Sequence, residues 1–206
     1  MSYIVVRMYT PAGEANPDQL SKRAGQELAP ELFKAGCQRY TTVKFANGYI
    51  GSTALYTHRA AAERAAQIGI EWAKSTGAMQ GSGPTRTLHG EHVFSHHPQA
   101  NPSLANTFGV IRLYRSTAST QDVKEALEQE ATPILQNASG LLRYTVFRTD
   151  EGDWFAAMTA NASREAATQL TAQARAAASK AGSRLQKVFP IPPEVIEGEI
   201  IHRYTA

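Results

Sequence analysis

The chain repeats itself at an interval of about one hundred residues. Tyr3-Ile4-Val5-Val6-Arg7-Met8-Tyr9 returns as Phe108-Gly109-Val110-Ile111-Arg112-Leu113-Tyr114, and Arg39-Tyr40-Thr41 returns as Arg143-Tyr144-Thr145. His58-Arg59-Ala60-Ala61-Ala62 is answered by Ser163-Arg164-Glu165-Ala166-Ala167, and Gly90-Glu91 by Gly198-Glu199. Solenoid units are far shorter, roughly 20–50 residues. The interval is that of a small domain, so the chain reads as a fused duplicate. Its first repeat spans 1–95, its linker 96–107 and its second repeat 108–206.

Composition narrows the class further. With 206 residues, 42% of them apolar, the chain can bury an ordinary core in one or two domains. The net charge of +3 is mild, and Lys and Arg are scattered rather than clustered. That pattern argues against a nucleic-acid partner. A single cysteine, Cys37, forbids an internal disulfide and fits a reducing compartment. No basic segment followed by an apolar stretch opens the chain, and no apolar run approaches the ~20 residues of a membrane span. A cytoplasmic protein with no membrane partner is expected.

Each repeat carries the same element pattern. In the first, residues 3–9 read as a strand, and Pro11, Gly13 and Pro17 break the chain beyond it. A helix is expected from Asp18, as N-cap, to Ala35, divided or kinked at Pro30 and ended by Gly36. Strands at 38–46 and 49–56 flank Asn47-Gly48, a two-residue hairpin turn. A helix over 58–75, a loop over 76–84 and a strand over 86–94 complete it. The second repeat has a strand at 108–114, a helix to 137, and a hairpin of 141–149 and 153–160 turning at Glu151-Gly152. A helix at 162–181 and a strand at 196–204 come next.

The order β-α-β-β-α-β is ferredoxin-like, with helices on one face of an antiparallel sheet. In the first strand Ile4, Val6 and Met8 make one side, while Tyr3, Val5, Arg7 and Tyr9 make the other. Neither side is polar throughout, so both need cover. Two sheets packed together supply it, and fusion raises the effective concentration of the second. The expected fold class is α+β, two tandem ferredoxin-like repeats pairing their antiparallel sheets into a pseudo-dimeric α/β barrel.

Element order, paired sheets and a second helix opening on Arg59-Ala60-Ala61 resemble the dimeric α/β-barrel superfamily. Within it, the chain is similar to the antibiotic-biosynthesis-monooxygenase-like group. The resemblance spans both repeats. It implies a ligand site between the sheet and helices of one repeat. The activities it brings include cofactor-free oxygenation of aromatic polyketides and quinols, haem degradation and lactone isomerisation.

Candidate site residues crowd the first repeat. Trp72 in Glu71-Trp72-Ala73-Lys74-Ser75 is similar to the Trp-bearing helix of the haem-degrading branch. That branch's strand Asn is Arg7 here and its His is Ser82, which disfavours haem. The second repeat has Ala177 where the first has Trp72. His89 and His92 are expected general bases able to take a proton from a phenol. Trp72, Tyr40, Tyr9 and Arg7 are expected to bind substrate. His89 and His92 lie three apart on a strand, a poor chelating pair, so no metal site is expected. Arg7 facing Glu91 and Arg112 facing Glu199 are read as cross-strand ion pairs. Trp154 and Asn161 resemble, in composition, a site of the cofactor-free oxygenases, with Asn161 also read as a helix N-cap. No GxGxxG, P-loop, HExxH or GxSxG motif is present.

Three functions are consistent with these residues. The first is a cofactor-independent monooxygenase acting on a small aromatic or quinol, with no cofactor. The second is a non-catalytic small-ligand-binding or stress-associated barrel, and the third a haem-binding protein. A homodimer of fused chains is compatible with each.

Overall fold

The computed structural model describes residues 1–10, 16–46, 48–77, 83–98 and 107–206. Pro11, Gly13, Asn47, Ser82 and residues 99–106 of the linker lie outside the described residues. The strands are β1 (Tyr3–Tyr9), β2 (Cys37–Phe45), β3 (Ile50–Tyr56) and β4 (Arg86–His96) in the first repeat. The second has β5 (Thr107–Arg115), β6 (Leu141–Thr149), β7 (Trp154–Asn161) and β8 (Glu194–Thr205). They hydrogen-bond in one closed order, β1-β3-β2-β8-β5-β7-β6-β4, which is the α/β barrel of two ferredoxin-like repeats. Packing divides the chain into two compact units, Met1–Glu91 with Gly198–Ala206, and His92–Glu197. The long strands β4 and β8 each contribute one end to each unit.

In unit one, the cap of the first helical region lies two residues before Asp18. Asn16 is the cap, its Oδ1 accepting from the backbone N–H groups of Asp18 and Gln19 at 2.9 and 3.2 Å. Pro17 occupies the first helical position, where its missing N–H costs nothing. Helix α1 (Pro17–Arg23) then runs into a π-helical turn, Ala24–Leu28, before α2 (Ala29–Lys34). The cause is Pro30. Its ring lacks a donor and would clash with the carbonyl four residues back, so the preceding turn widens. Unit two repeats the device, with α4 (Thr120–Ala126), a π-helical turn at Leu127–Ala131 and α5 (Thr132–Gln136) carrying Pro133. Above the first π turn, Tyr204 donates to the Ser21 carbonyl at 3.0 Å and packs against Gly25, where any Cβ would collide with the phenol ring.

Helices α3 (Arg59–Thr76) and α6 (Arg164–Ala178) are capped alike, by His58 Nδ1 accepting from Ala61 N–H and by Ser163 Oγ accepting from Ala166 N–H. Their small residues let them lie close on the sheet: Ala61 and Ala65 are fully buried, and Ala167 is nearly so. The core of unit one gathers Tyr3, Val5, Tyr40 and Tyr56 of the sheet with Leu28 and Leu32 of the helical region. That of unit two gathers Val123, Leu127, Leu135, Val146 and Phe155. Cys37 is buried, its thiol donating to the Arg39 carbonyl, and burial pushes its pKa up to about 11.

Three expectations change. The helix expected over 162–181 stops at Ala178. Gly182 turns the chain in the left-handed region at φ +82°, and Ser183 caps a new short helix, α7 (Arg184–Val188). The cross-strand ion pairs do not form as read. The β1–β4 register sets Arg7 opposite Thr87 and Glu91 opposite Tyr3, a slip of four residues from the expected pairing. Glu199 pairs in register with Lys44, and Arg112 hydrogen-bonds the Thr171 hydroxyl. Finally, Asn161 is not a helix cap. It ends β7, fully buried, and its amide donates to the Phe108 carbonyl at 3.2 Å and to Thr159 Oγ1 at 3.0 Å.

Candidate functional site

Both repeats build a cavity at the same place, between sheet and helices, and the two differ about tenfold in size. In repeat one Arg7, Tyr9, Tyr40 and Ser52 from the sheet meet Leu28, Leu32, Ala65, Gly69, Trp72 and Ala73 from the helices. The space between them is about 40 Å³, room for little more than water. In repeat two the equivalent wall is Arg112, Tyr114, Tyr144 and Ala157, roofed by Ala131, Leu135, Leu170, Ala174 and Ala178. There the cavity measures about 380 Å³, within the roughly 300–1,000 Å³ typical of small-molecule sites.

The two linings differ at the indole and at the chain that borders the larger cavity, Leu185 to Val195. Trp72 fills the space in repeat one, where repeat two has Ala177. The indole is fixed by a hydrogen bond from its Nε1 to Glu27 Oε2 at 2.9 Å. Glu27 stands in the π-helical turn, and Arg23 and Trp72 together hold its carboxyl below the usual range. Its partner in repeat two is Glu130, also in a π-helical turn, with no indole to bind. Glu130 caps α7 instead. It accepts from the N–H of Arg184 at 2.7 Å, the Ser183 hydroxyl at 2.7 Å and the N–H of Leu185 at 3.2 Å. The same carboxylate therefore pins a plug in one repeat and a strap in the other. The strap, Leu185 to Val195, supplies Phe189, Pro190, Ile191, Pro192 and Pro193 to the mouth of the open cavity.

This pair of carboxylates is not among the residues that the sequence pattern singles out. A signal for it exists all the same: Gln26-Glu27 precedes Pro30 at the spacing with which Gln129-Glu130 precedes Pro133.

The strap contact is pH-dependent in a defined sense. The N–H of Arg184, then the Ser183 hydroxyl and the N–H of Leu185, lower the Glu130 pKa from its ordinary 4.5. A depressed folded-state pKa means the contact is intact above 4.5 and is lost as pH falls through the lowered value. Protection of the amides over residues 183–188, the slowing of exchange relative to the intrinsic rate at the same pH, is expected to be high at neutral pH and to fall as the pH drops below about 4.5. Glu130→Gln should lower that protection at neutral pH.

The electrostatics of the open cavity are one-sided. Arg112 is only 8% exposed, and its guanidinium hydrogen-bonds the Thr171 hydroxyl; among the described residues no carboxylate pairs with it. Arg175 lies at the mouth. Burial raises the pKa values of Tyr144 and Tyr114 against the lowering pull of Arg112, so both are neutral phenols that can donate. No His, Asp or Glu lines the cavity among the described residues.

The expected site residues fall into two sets. Trp72, Tyr40, Tyr9 and Arg7 share the wall of the small cavity. His89 and His92 line neither cavity. His89 Nδ1 shares a 2.8 Å hydrogen bond with the Tyr3 hydroxyl, and His92 Nε2 one of 2.6 Å with Ser95 Oγ. Trp154 begins β7, half-buried, and its carbonyl accepts from Thr149 Oγ1. Among the described residues no cluster of His, Cys, Asp and Glu could hold a metal ion, and no helix is long and apolar enough to cross a membrane.

The closed eight-stranded α/β barrel of two ferredoxin-like repeats is a fold shared with several solved structures. No protein-family profile and no curated protein matches the sequence. The likeness is to solved structures. An anthrone oxidase-like protein is 14% identical with a TM-score of 0.65, over 100% of this chain and 93% of that one. A candidate monooxygenase from Fusobacterium nucleatum is 9% identical with a TM-score of 0.69, over 99% and 94%. One from Lactobacillus acidophilus is 8% identical with a TM-score of 0.69, over 99% and 96%. At these identities the likeness establishes the fold, and chemistry must be argued from the site.

Proposed function

We propose that the chain binds a small aromatic molecule, a quinol or anthrone-like compound, in the cavity of repeat two, and oxygenates it without a resident cofactor. The observation that carries this reading is the 380 Å³ apolar-walled cavity retained in one repeat and plugged in the other. Leu135, Leu170 and Phe189 offer apolar faces to a planar ring, and the strap limits the entry of water. The hydroxyls of Tyr114 and Tyr144 donate to the substrate oxygen that gains charge when its proton leaves. The carbanion or enolate then reduces dioxygen directly. For an anthrone, one dioxygen atom becomes the new carbonyl oxygen, and the other leaves as water with the two methylene hydrogens. The anthrone-type substrate is suggested by the anthrone oxidase-like neighbour.

A second reading, a binding protein without catalysis, draws on one observation: among the described residues the cavity wall contains no side chain able to take a proton near neutral pH. Haem fits less well, since that wall offers no His, Cys or Met and its tyrosines are held protonated.

Oxygen uptake with anthrone and with 1,4-naphthohydroquinone separates the readings. The enzyme reading predicts a rate at least about tenfold above the protein-free reaction, with no cofactor added and lost in Ala174→Trp. A ligand that binds at this cavity with no rate above background leaves the binding protein. A Soret shift on mixing with hemin would support haem instead.

A further inference from the structure

Resting on the reading that the repeat-two cavity is the ligand site, we infer that the aromatic ligand it takes carries a carboxylate, whose charged end sits against Arg112. A guanidinium taken this far out of water is costly unless something of opposite charge compensates it. Among the described residues nothing does. Arg112 is 8% exposed and reaches the Thr171 hydroxyl, a neutral acceptor. The rest of the wall adds a second guanidinium at the mouth, Arg175, and no acid among the described residues. The two phenols are held in their neutral, donating form.

The first-strand arginine is present in both repeats, but its surroundings differ. In repeat one Tyr56 lies beside Arg7, whose charge pulls down a pKa that burial raises; Tyr56 stands at about 12. In repeat two the residue matching Tyr56 is Asn161, engaged with Phe108 and Thr159 at the end of its strand. The residue matching Ala66 is Thr171, which takes the guanidinium in the cavity wall. The repeat that keeps an open cavity thus holds its buried cation at that cavity with spare donors. A planar fork of N–H groups matches a carboxylate in two parallel hydrogen bonds. A phenol of ordinary acidity is neutral at about pH 7 and supplies no charge, so a carboxylate is the oxyanion that arrives already ionised.

The test compares 1-naphthoate with its neutral isostere 1-naphthamide by calorimetric titration at about pH 7, where the acid is ionised. Wild-type protein is expected to bind the acid roughly tenfold or more tightly than the amide, the scale of a charge-assisted hydrogen bond. In Arg112→Met that preference should vanish while amide binding persists, which also certifies that the variant is folded. The wild-type comparison decides even if Arg112→Met does not fold. Equal affinity for acid and amide overturns the inference and leaves the cavity assignment standing. Binding of neither compound overturns both. A preference that survives Arg112→Met and disappears in Arg175→Met overturns the role of Arg112.

Discussion

Trp72→Ala is expected to turn a protein with one ligand site into a protein with two. The indole lines the 40 Å³ space of repeat one, whose sheet wall of Arg7, Tyr9 and Tyr40 matches Arg112, Tyr114 and Tyr144 of the 380 Å³ cavity. Removing it empties the volume it fills and frees Glu27 from its 2.9 Å hydrogen bond. Titration with 1-naphthamide should give close to one site per wild-type chain and close to two per Trp72→Ala chain. The substitution also costs stability. A buried Trp→Ala change costs roughly 3–5 kcal/mol, and a half-buried indole about 2 kcal/mol, measurable by urea unfolding. A stoichiometry unchanged at one, in a variant that has lost this stability, would mean that repeat one collapses rather than opens.

Gly51→Ala is expected to be the more damaging change to the fold. Gly51 lies in β3 opposite Met8 of β1. A Cβ there would fall inside contact distance of the Arg7 carbonyl oxygen and 2.7 Å from the Phe45 ring. The carbonyl belongs to the β1–β3 ladder and cannot retreat without pulling the strands apart. Repeat two has Ala156 at the matching position, fully buried and accommodated. A cost of about 3 kcal/mol or more is expected, a fall of roughly 6–12 °C in Tm for a chain of this size. Ala156→Gly should shift Tm far less, and equal shifts in the two would contradict the close approach at Gly51.

What could be read from the sequence was local; what could not was a matter of volume and register. The duplication, the β-α-β-β-α-β order and the barrel class come from patterns a few residues wide, repeated. Hairpins announced themselves through Gly48 and Gly152, both at positive φ. The break at Pro30 was legible as a break, but not as a π-helical turn, because the widened register depends on where the next turn finds its carbonyls. The ion pair expected between Arg7 and Glu91 fails because a strand's register, not its order, sets its partners. The contrast of Trp72 with Ala177 was visible, and it suggested a pocket built on the Trp. Whether a Trp walls a cavity or fills one is decided by the residues opposite, here Leu28 and Glu27, from a helix distant in sequence. Helix α7 leaves no mark in the sequence pattern, because five residues carry too little periodicity.

Whether the open cavity of repeat two is the ligand site can be decided with Ala174→Trp. Ala174 lines that cavity on α6, three residues before the position that matches Trp72, and a Trp there sets an indole into the cavity. Calorimetric titration of both proteins with 1-naphthoate and 1-naphthamide should give one site per chain in the wild type and none in Ala174→Trp, with the variant's unfolding curve intact. Full binding retained by a folded Ala174→Trp chain would refute the assignment and move the site elsewhere.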